Sequence, residues 1–374
     1  MSVAGIIFTS LHHGSVSEIM GRSVAAVPFM CRYRLVDFPL SNMVNSNITN
    51  VALIANNNYH SLIEHIGSGK DWDLARRSGG LMILPPYSNT YLNTSRLVNP
   101  RLTELKNVYE SLDFKEDYVV LADCDMITNI DYTEIVNAHI SSDADITVCV
   151  KNMYVTPEVA RHNVIYEADD DNRITDISVA PTNVLGYKNV GMNVTVMKTD
   201  YLKQVIADAI AHNYDSFSLD VIARNLDRRN YRIFKYDGLA LNITNFDEYY
   251  SASMEMLSNP EHKKAIFNMP NSPILTRVRN SPPTRYVNGS KVINSFVADG
   301  CEIEGSVENS ILFRGVKVGK NTVVKNSILF KDVYTGENVV LNCVVADKNV
   351  VIRDNKVLSG HETMPFYIPR DKMI

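Results

Sequence analysis

Groups that can ionise, coordinate or attack are scattered along this chain. Two carboxylates, Asp123 and Asp125, flank Cys124 directly after the apolar run YVVLA that begins at Tyr118. Such a run is the length of a buried strand, and open α/β sheets gather ligands beyond the carboxyl ends of their strands. The same side chains would serve equally well to terminate a strand-loop junction. His12 and His13 follow the first apolar run, but imidazoles mostly neutral at pH 7 are poor substitutes for arginine. His361 stands near the C-terminus, with no histidine between it and His262, which weighs against an imidazole-dependent acyl transfer there. The five cysteines, Cys31, Cys124, Cys149, Cys301 and Cys343, form no CxxC pair, so neither a zinc cluster nor a disulfide framework is expected. That usage fits a reducing compartment.

The elements that must position these residues follow from periodicity. Residues 3–8, 51–54, 118–122, 145–150 and 231–236 are short, β-branched or aromatic runs bounded by polar residues, and they predict buried strands. Helical spacing lies between them, with Leu62, Ile63 and Ile66, then Ile135, Val136 and Ile140, then Val221, Ile222 and Leu226 each predicted to share a face. Alternating strand and helix predict an α/β domain with a mainly parallel sheet over residues 1–267. A Pro-containing stretch, 268–285, reads as a linker. Over 286–374 apolar residues recur every six positions: Val297 and Ile303; Leu312, Val318, Val324 and Phe330; Val333, Val339, Val345, Val351 and Val357. The segment NSILFRGVKVGKN at Asn309 returns as NSILFKDVYTGEN at Asn326. Period-six repeats turning on Gly and Asn predict a parallel β-helix.

Composition narrows the function. The 374 residues are 45% hydrophobic and 21% charged, with a formal net charge of -5. That balance gives no basic field for nucleic acid, and small-molecule or protein partners are expected. No stretch reaches the roughly 18 apolar residues of a membrane span, and the N-terminus lacks a signal-peptide pattern, so the expected location is the cytosol.

The segment VAAVPFMCRYRLVDFPLSNMVNSNITNVALI, residues 24–54, resembles the conserved region of the glucose-1-phosphate adenylyltransferases, also called ADP-glucose pyrophosphorylases. The likeness continues through HSLIEHI at His60, YVVLADCD at Tyr118 and PPTRY at Pro282 into the hexapeptide repeats. It implies a Rossmann-like nucleotidyltransferase domain with a mainly parallel mixed sheet, followed by a left-handed parallel β-helix. That family transfers the adenylyl group of ATP to glucose 1-phosphate with Mg2+. Displacement at phosphorus needs cations and amides that stabilise developing negative charge. Measured against the family pattern, Thr9 and Ser10 stand at its paired glycines, Gly14 at its arginine and Val24 at its lysine. Asp125 matches one metal carboxylate, but Asn242 stands at the other, so Mg2+ binding is expected to be weak or absent unless Asp123 moves in. Val179, Ala180 and Pro181 replace the E-K-P sugar-phosphate loop, and residues 89–99 have no counterpart to the segment bordering the nucleotide. One lost transition-state donor costs on the order of a hundred- to thousandfold in rate, so no functional catalytic residue and no required cofactor are expected here.

The wording LADCD and NIDY and the lost glycine turn resemble the GlgD-type regulatory subunits of Gram-positive bacteria. That resemblance implies a catalytic subunit of the same family as partner, in a heterotetramer, with a homo-oligomer as the alternative for the chain alone. It also implies a phosphorylated-metabolite effector site at Arg22, Arg34 and Ser61, with Lys348 added from the β-helix. The opposing expectation is that Arg22 and Arg34 make structural ion pairs, Arg34 with Asp37.

Overall fold

In the computed structural model, which describes residues 2–9, 16–55, 58–85 and 101–374, the apolar runs become strands. Val3–Phe8 (β1), Asn50–Ile54 (β2), Gly80–Leu84 (β3) and Tyr118–Asp123 (β4) form a parallel set in the order β3-β2-β1-β4. Their side chains alternate between two apolar cores: Ile7, Val51, Leu53, Val120 and Ala122 enter one, and Ile6, Phe8, Ala52, Ile54, Val119 and Leu121 the other. Period-two alternation with both faces apolar is what a sheet covered on both sides requires. The covering helices are Asp37–Asn45 (α1), His60–Ile66 (α2), Arg101–Val108 (α3), Tyr132–Ser141 (α4), Thr199–His212 (α5), Phe246–Ser258 (α6) and Pro260–Phe267 (α7).

Beyond β4 the sheet changes direction. Ile146–Val155 (β5), Val164–Ala168 (β6), Ile174–Val179 (β7), Gly186–Lys198 (β8) and Tyr231–Lys235 (β9) complete nine strands. The thirteen-residue β8 runs antiparallel to β4, β5 and β6, while β9 joins β5 in parallel. Its pairing with β5 slips between Gly191 and Thr195, and Asn193 sits inside that slip at φ 57°. Such an irregularity re-aims a side chain at the cost of local pairing.

Some sequence expectations need correction. The run at 145–150 continues as strand to Val155, because alternating polar residues project outward there. Ile63 and Ile140 are each 37% exposed, whereas His65 and His139 take the buried positions. In short helices the i, i+3, i+4 stripe is narrow, and Leu62, His65 and Ile66 fill it in α2. Val221 and Ile222 end a π-helical segment, Phe217–Ile222, and Leu226 lies beyond it.

The C-terminal region forms three five-stranded parallel sheets, one on each side of a triangular coil, the left-handed parallel β-helix. Ile303, Val318, Thr335 and Ile352 stack on one side, and Val307, Val324, Leu341 and Leu358 on the next. Left-handed backbone recurs at the corners, for instance at Asn321, Asn338 and Asn355, whose side chains hydrogen-bond from coil to coil. Asn is among the few L-residues that adopt this conformation cheaply. Val351 and Val357 do not continue the interior: Val357 is 71% exposed, and Ile352 and Leu358 are the inward residues. Val318, Thr335 and Ile352 are stacked partners 17 positions apart, so a strict period of six slips by one residue in each of these coils.

The two domains share one apolar cluster, in which Phe29 and Tyr249 join Phe313, Phe330 and Val345. Tyr249 meets Phe330 edge-on at 6.3 Å, and Tyr250 Oη donates to Asn326 O at 2.6 Å. The stretch 268–285 is strapped down. Ile274 and Thr276 are buried, Leu275 N donates to Ser41 Oγ, and Asn129 Nδ2 donates to Ser272 O.

Candidate functional site

The register of β1 and β4 sets Phe8 beside Asp123, so the site lies where these carboxyl ends meet. Asp125 follows two residues on, almost fully buried, with Oδ2 accepting from Asn193 Nδ2 at 3.0 Å and Oδ1 without a hydrogen-bond partner. Burial, then the neighbouring Asp123 carboxylate, pushes its carboxyl up to about 7. Asn242 is brought alongside by backbone pairing: Ala240–Asn242 runs antiparallel to Met126–Thr128, and Ile243 N donates to Asp125 O at 2.7 Å. Its Oδ1 is also buried without a partner, and its Nδ2 reaches Asn163 Oδ1 at 3.5 Å. Asn163 O in turn accepts from Ala180 N, which places the loop Val179, Ala180 and Pro181 on the rim of the same site.

Sequence reasoning missed Arg101. Opening α3, its guanidinium is buried against Asp123, with Nε to Oδ1 at 2.9 Å, and it also donates to Asn193 O and lies 5.2 Å over the Phe8 ring. Nothing in the local pattern RLTEL distinguishes this arginine from a surface one.

The donor set does not fit Mg2+. A small hard cation asks for anionic oxygens, and here it would meet one carboxylate, an uncharged amide and a second carboxylate already held by a guanidinium. Among the described residues no group of three or more His, Cys, Asp or Glu is arranged to hold a metal ion. Val24, at the position of the family's lysine, is a buried core residue. Thr9 is buried, its Oγ1 donating to Ile54 O at 2.9 Å. Ser10, His12, His13, Gly14 and residues 89–99 lie outside the described residues. His361 is exposed and hydrogen-bonded within its own turn to Thr363.

A second concavity lies at the domain boundary. Arg22, Arg32, Arg34 and Arg279 line it from one side and Arg314, Lys331 and Lys348 from the β-helix, with Glu64 also in the wall. Arg34 Nη1 donates to Ser61 O at 2.6 Å. Its guanidinium does not pair with Asp37, whose carboxylate instead contacts His65 Nε2 at 2.6 Å and accepts from Arg34 N at 3.0 Å. Burial pulls Arg34 down to about 10, and Arg22 and Arg279 push the same way against Asp37 and Glu64. Arg22 is committed: its Nη2 lies 2.6 Å from both oxygens of the fully buried Asp347, which also accepts from Tyr367 Oη and Lys348 N. The structure therefore brings Arg22, Arg34 and Lys348 to one cleft, while Ser61 Oγ is buried without a partner.

Comparison with known proteins matches residues 20–258 to a nucleotidyl transferase model and residues 282–363 to a GlmU-like C-terminal hexapeptide model. The chain is 30% identical over 324 residues to "Glycogen biosynthesis protein GlgD" of Bacillus subtilis, covering 85% of this chain and 81% of that one. It is 33% identical over 303 residues to the protein of the same name from Geobacillus stearothermophilus, covering 81% and 77%. A glucose-1-phosphate adenylyltransferase of Thermotoga sp. is 34% identical over 315 residues, covering 80% and 70%. None of the described helices is long and apolar enough to cross a membrane.

Proposed function

Because the chain belongs to the nucleotidyl transferase family of glycogen biosynthesis that includes the glucose-1-phosphate adenylyltransferases, we propose that it is a catalytically degenerate regulatory subunit of ADP-glucose pyrophosphorylase. The observation that supports this reading is Asn242 beside Asp125, held there by backbone pairing: an uncharged amide stands where the resemblance expects the second metal carboxylate. In this role it assembles with a catalytic subunit of the same family, in a heterotetramer, and modulates the synthesis of ADP-glucose from ATP and glucose 1-phosphate. The cation-rich cleft at the domain boundary is the effector site. Arg34, crowded by other cations, gains from a phosphorylated metabolite, because guanidinium groups grip phosphate through paired hydrogen bonds. Arg22 ties the cleft to the β-helix through Asp347, the neighbour of Lys348.

The test is co-expression with the catalytic relative from the same organism, then size-exclusion chromatography and kinetics of each subunit alone and together. A mixed assembly should show apparent affinity for substrate or activator changed by about 5- to 150-fold relative to the catalytic subunit alone. Turnover by this chain alone near an enzyme's ordinary rate of about 10 per second would instead establish an active nucleotidyltransferase with an altered site. Replacing Arg22 and Arg34 by Ala should abolish activation while assembly persists.

A further inference from the structure

We propose that Arg101 is a resident cation that takes the electrostatic place of a divalent metal ion beyond the carboxyl ends of β1 and β4, and so keeps this pocket from taking up metal. Its guanidinium is fixed by groups on three strands: the Phe8 ring on β1, the Asp123 carboxylate on β4 and the Asn193 carbonyl on β8. Arg101 and Asp123 are 4% and 8% exposed, so both charges of the pair are out of water. Freeing Asp123 for a metal would break a buried ion pair, which is an unfavourable exchange. Asp125, 1% exposed, keeps its Oδ1 buried without a hydrogen-bond partner. The two carboxylates flank a single residue, Cys124, and the Arg101 guanidinium already neutralises the charge of Asp123. Without it the Asp123 carboxylate would offer a small hard divalent cation an anionic oxygen ligand beside Asp125.

This deepens the reading of a non-catalytic subunit and rests on it. Metal uptake is measured on the chain alone, however, so the inference can fail while the mixed assembly still behaves as proposed. The probe is Mn2+, followed by electron paramagnetic resonance and isothermal titration calorimetry. Arg101→Met, which keeps the length of the side chain and removes its charge, should tighten Mn2+ binding roughly tenfold or more over the unsubstituted protein. Adding Asp125→Asn to Arg101→Met should abolish the gain, and Arg101→Lys should show none. A second variant decides the matter even where Arg101→Met does not fold. Asn242→Asp, with Arg101 intact, should bind Mn2+ no better than the unsubstituted protein. A tenfold gain from Asn242→Asp alone, or a folded Arg101→Met with no gain, overturns the proposal.

Discussion

Arg22→Ala should destabilise the whole chain, although Arg22 lies near the surface of one domain. Its Nη2 holds both oxygens of Asp347, a side chain with no exposure, across 325 residues of sequence. Removing one partner of a buried ion pair costs about 3–5 kcal/mol, because the other charge stays behind without compensation. Asp347 would keep two donors, Tyr367 Oη at 2.7 Å and Lys348 N at 2.6 Å, which puts the expected loss at the lower end, about 3 kcal/mol. With an unfolding entropy of about 2.1 cal/mol/K per residue over this length, the Tm should fall by roughly 4 °C. Differential scanning calorimetry of Arg22→Ala, Asp347→Ala and the double variant supplies the assay. The double variant should be nearly as stable as either single one, since no unpaired charge remains. An Arg22→Ala Tm within about 1 °C of the unsubstituted protein, or strictly additive losses in the cycle, would refute the reasoning.

Deleting the chain from about residue 290 should give insoluble or unassembled protein, because the face formed by Phe29 and Tyr249 loses Phe313 and Phe330. A soluble, monomeric truncation that still enhances a catalytic partner would contradict this. Asn242→Asp should restore no ADP-glucose synthesis, since Val24 and the loop at Val179 still lack charge; pyrophosphate release assays read the outcome. His139, hydrogen-bonded through Nδ1 to Thr147 Oγ1, is held down to about 4, chiefly by burial and then by Lys198. The unfolded chain therefore binds this proton first, so stability should fall as pH drops from 6.5 towards 4 and be insensitive to this group above 6.5. His139→Gln should flatten that part of a Tm-against-pH profile, and an unchanged slope would exclude the histidine as its source.

The parts legible in the sequence were those with local periodicity. The strands flanking the site and the repeats of the β-helix each carry a pattern that needs no distant partner to be read. Strand β8 was invisible because Gly191 and Asn193 interrupt its apolar run, and that interruption is the irregularity that turns Asn193 towards Asp125. The register drift that exposes Val357 is set by coil length, which a count of sixes does not contain. Asp125 and Asn242 could be placed by resemblance, and backbone pairing brings them together. Arg101 and Asp347 could not, because their partners are 22 and 325 positions away and ion pairs leave no periodic trace. The opposing view of Arg22 as an ion-pair residue was open from the start, but its partner was not.

The shared core also sets a timetable for synthesis. Tyr249 leaves the ribosome well before Phe330, its edge-on neighbour from the β-helix, and the cluster around Phe29 has been waiting longer still. At about 5–20 residues per second, roughly 80 residues of delay leave that aromatic face uncovered for about 4–16 s on every nascent chain. During that interval the first domain carries an adhesive surface with no lid, and the C-terminal quarter of the chain is the part that arrives to cover it.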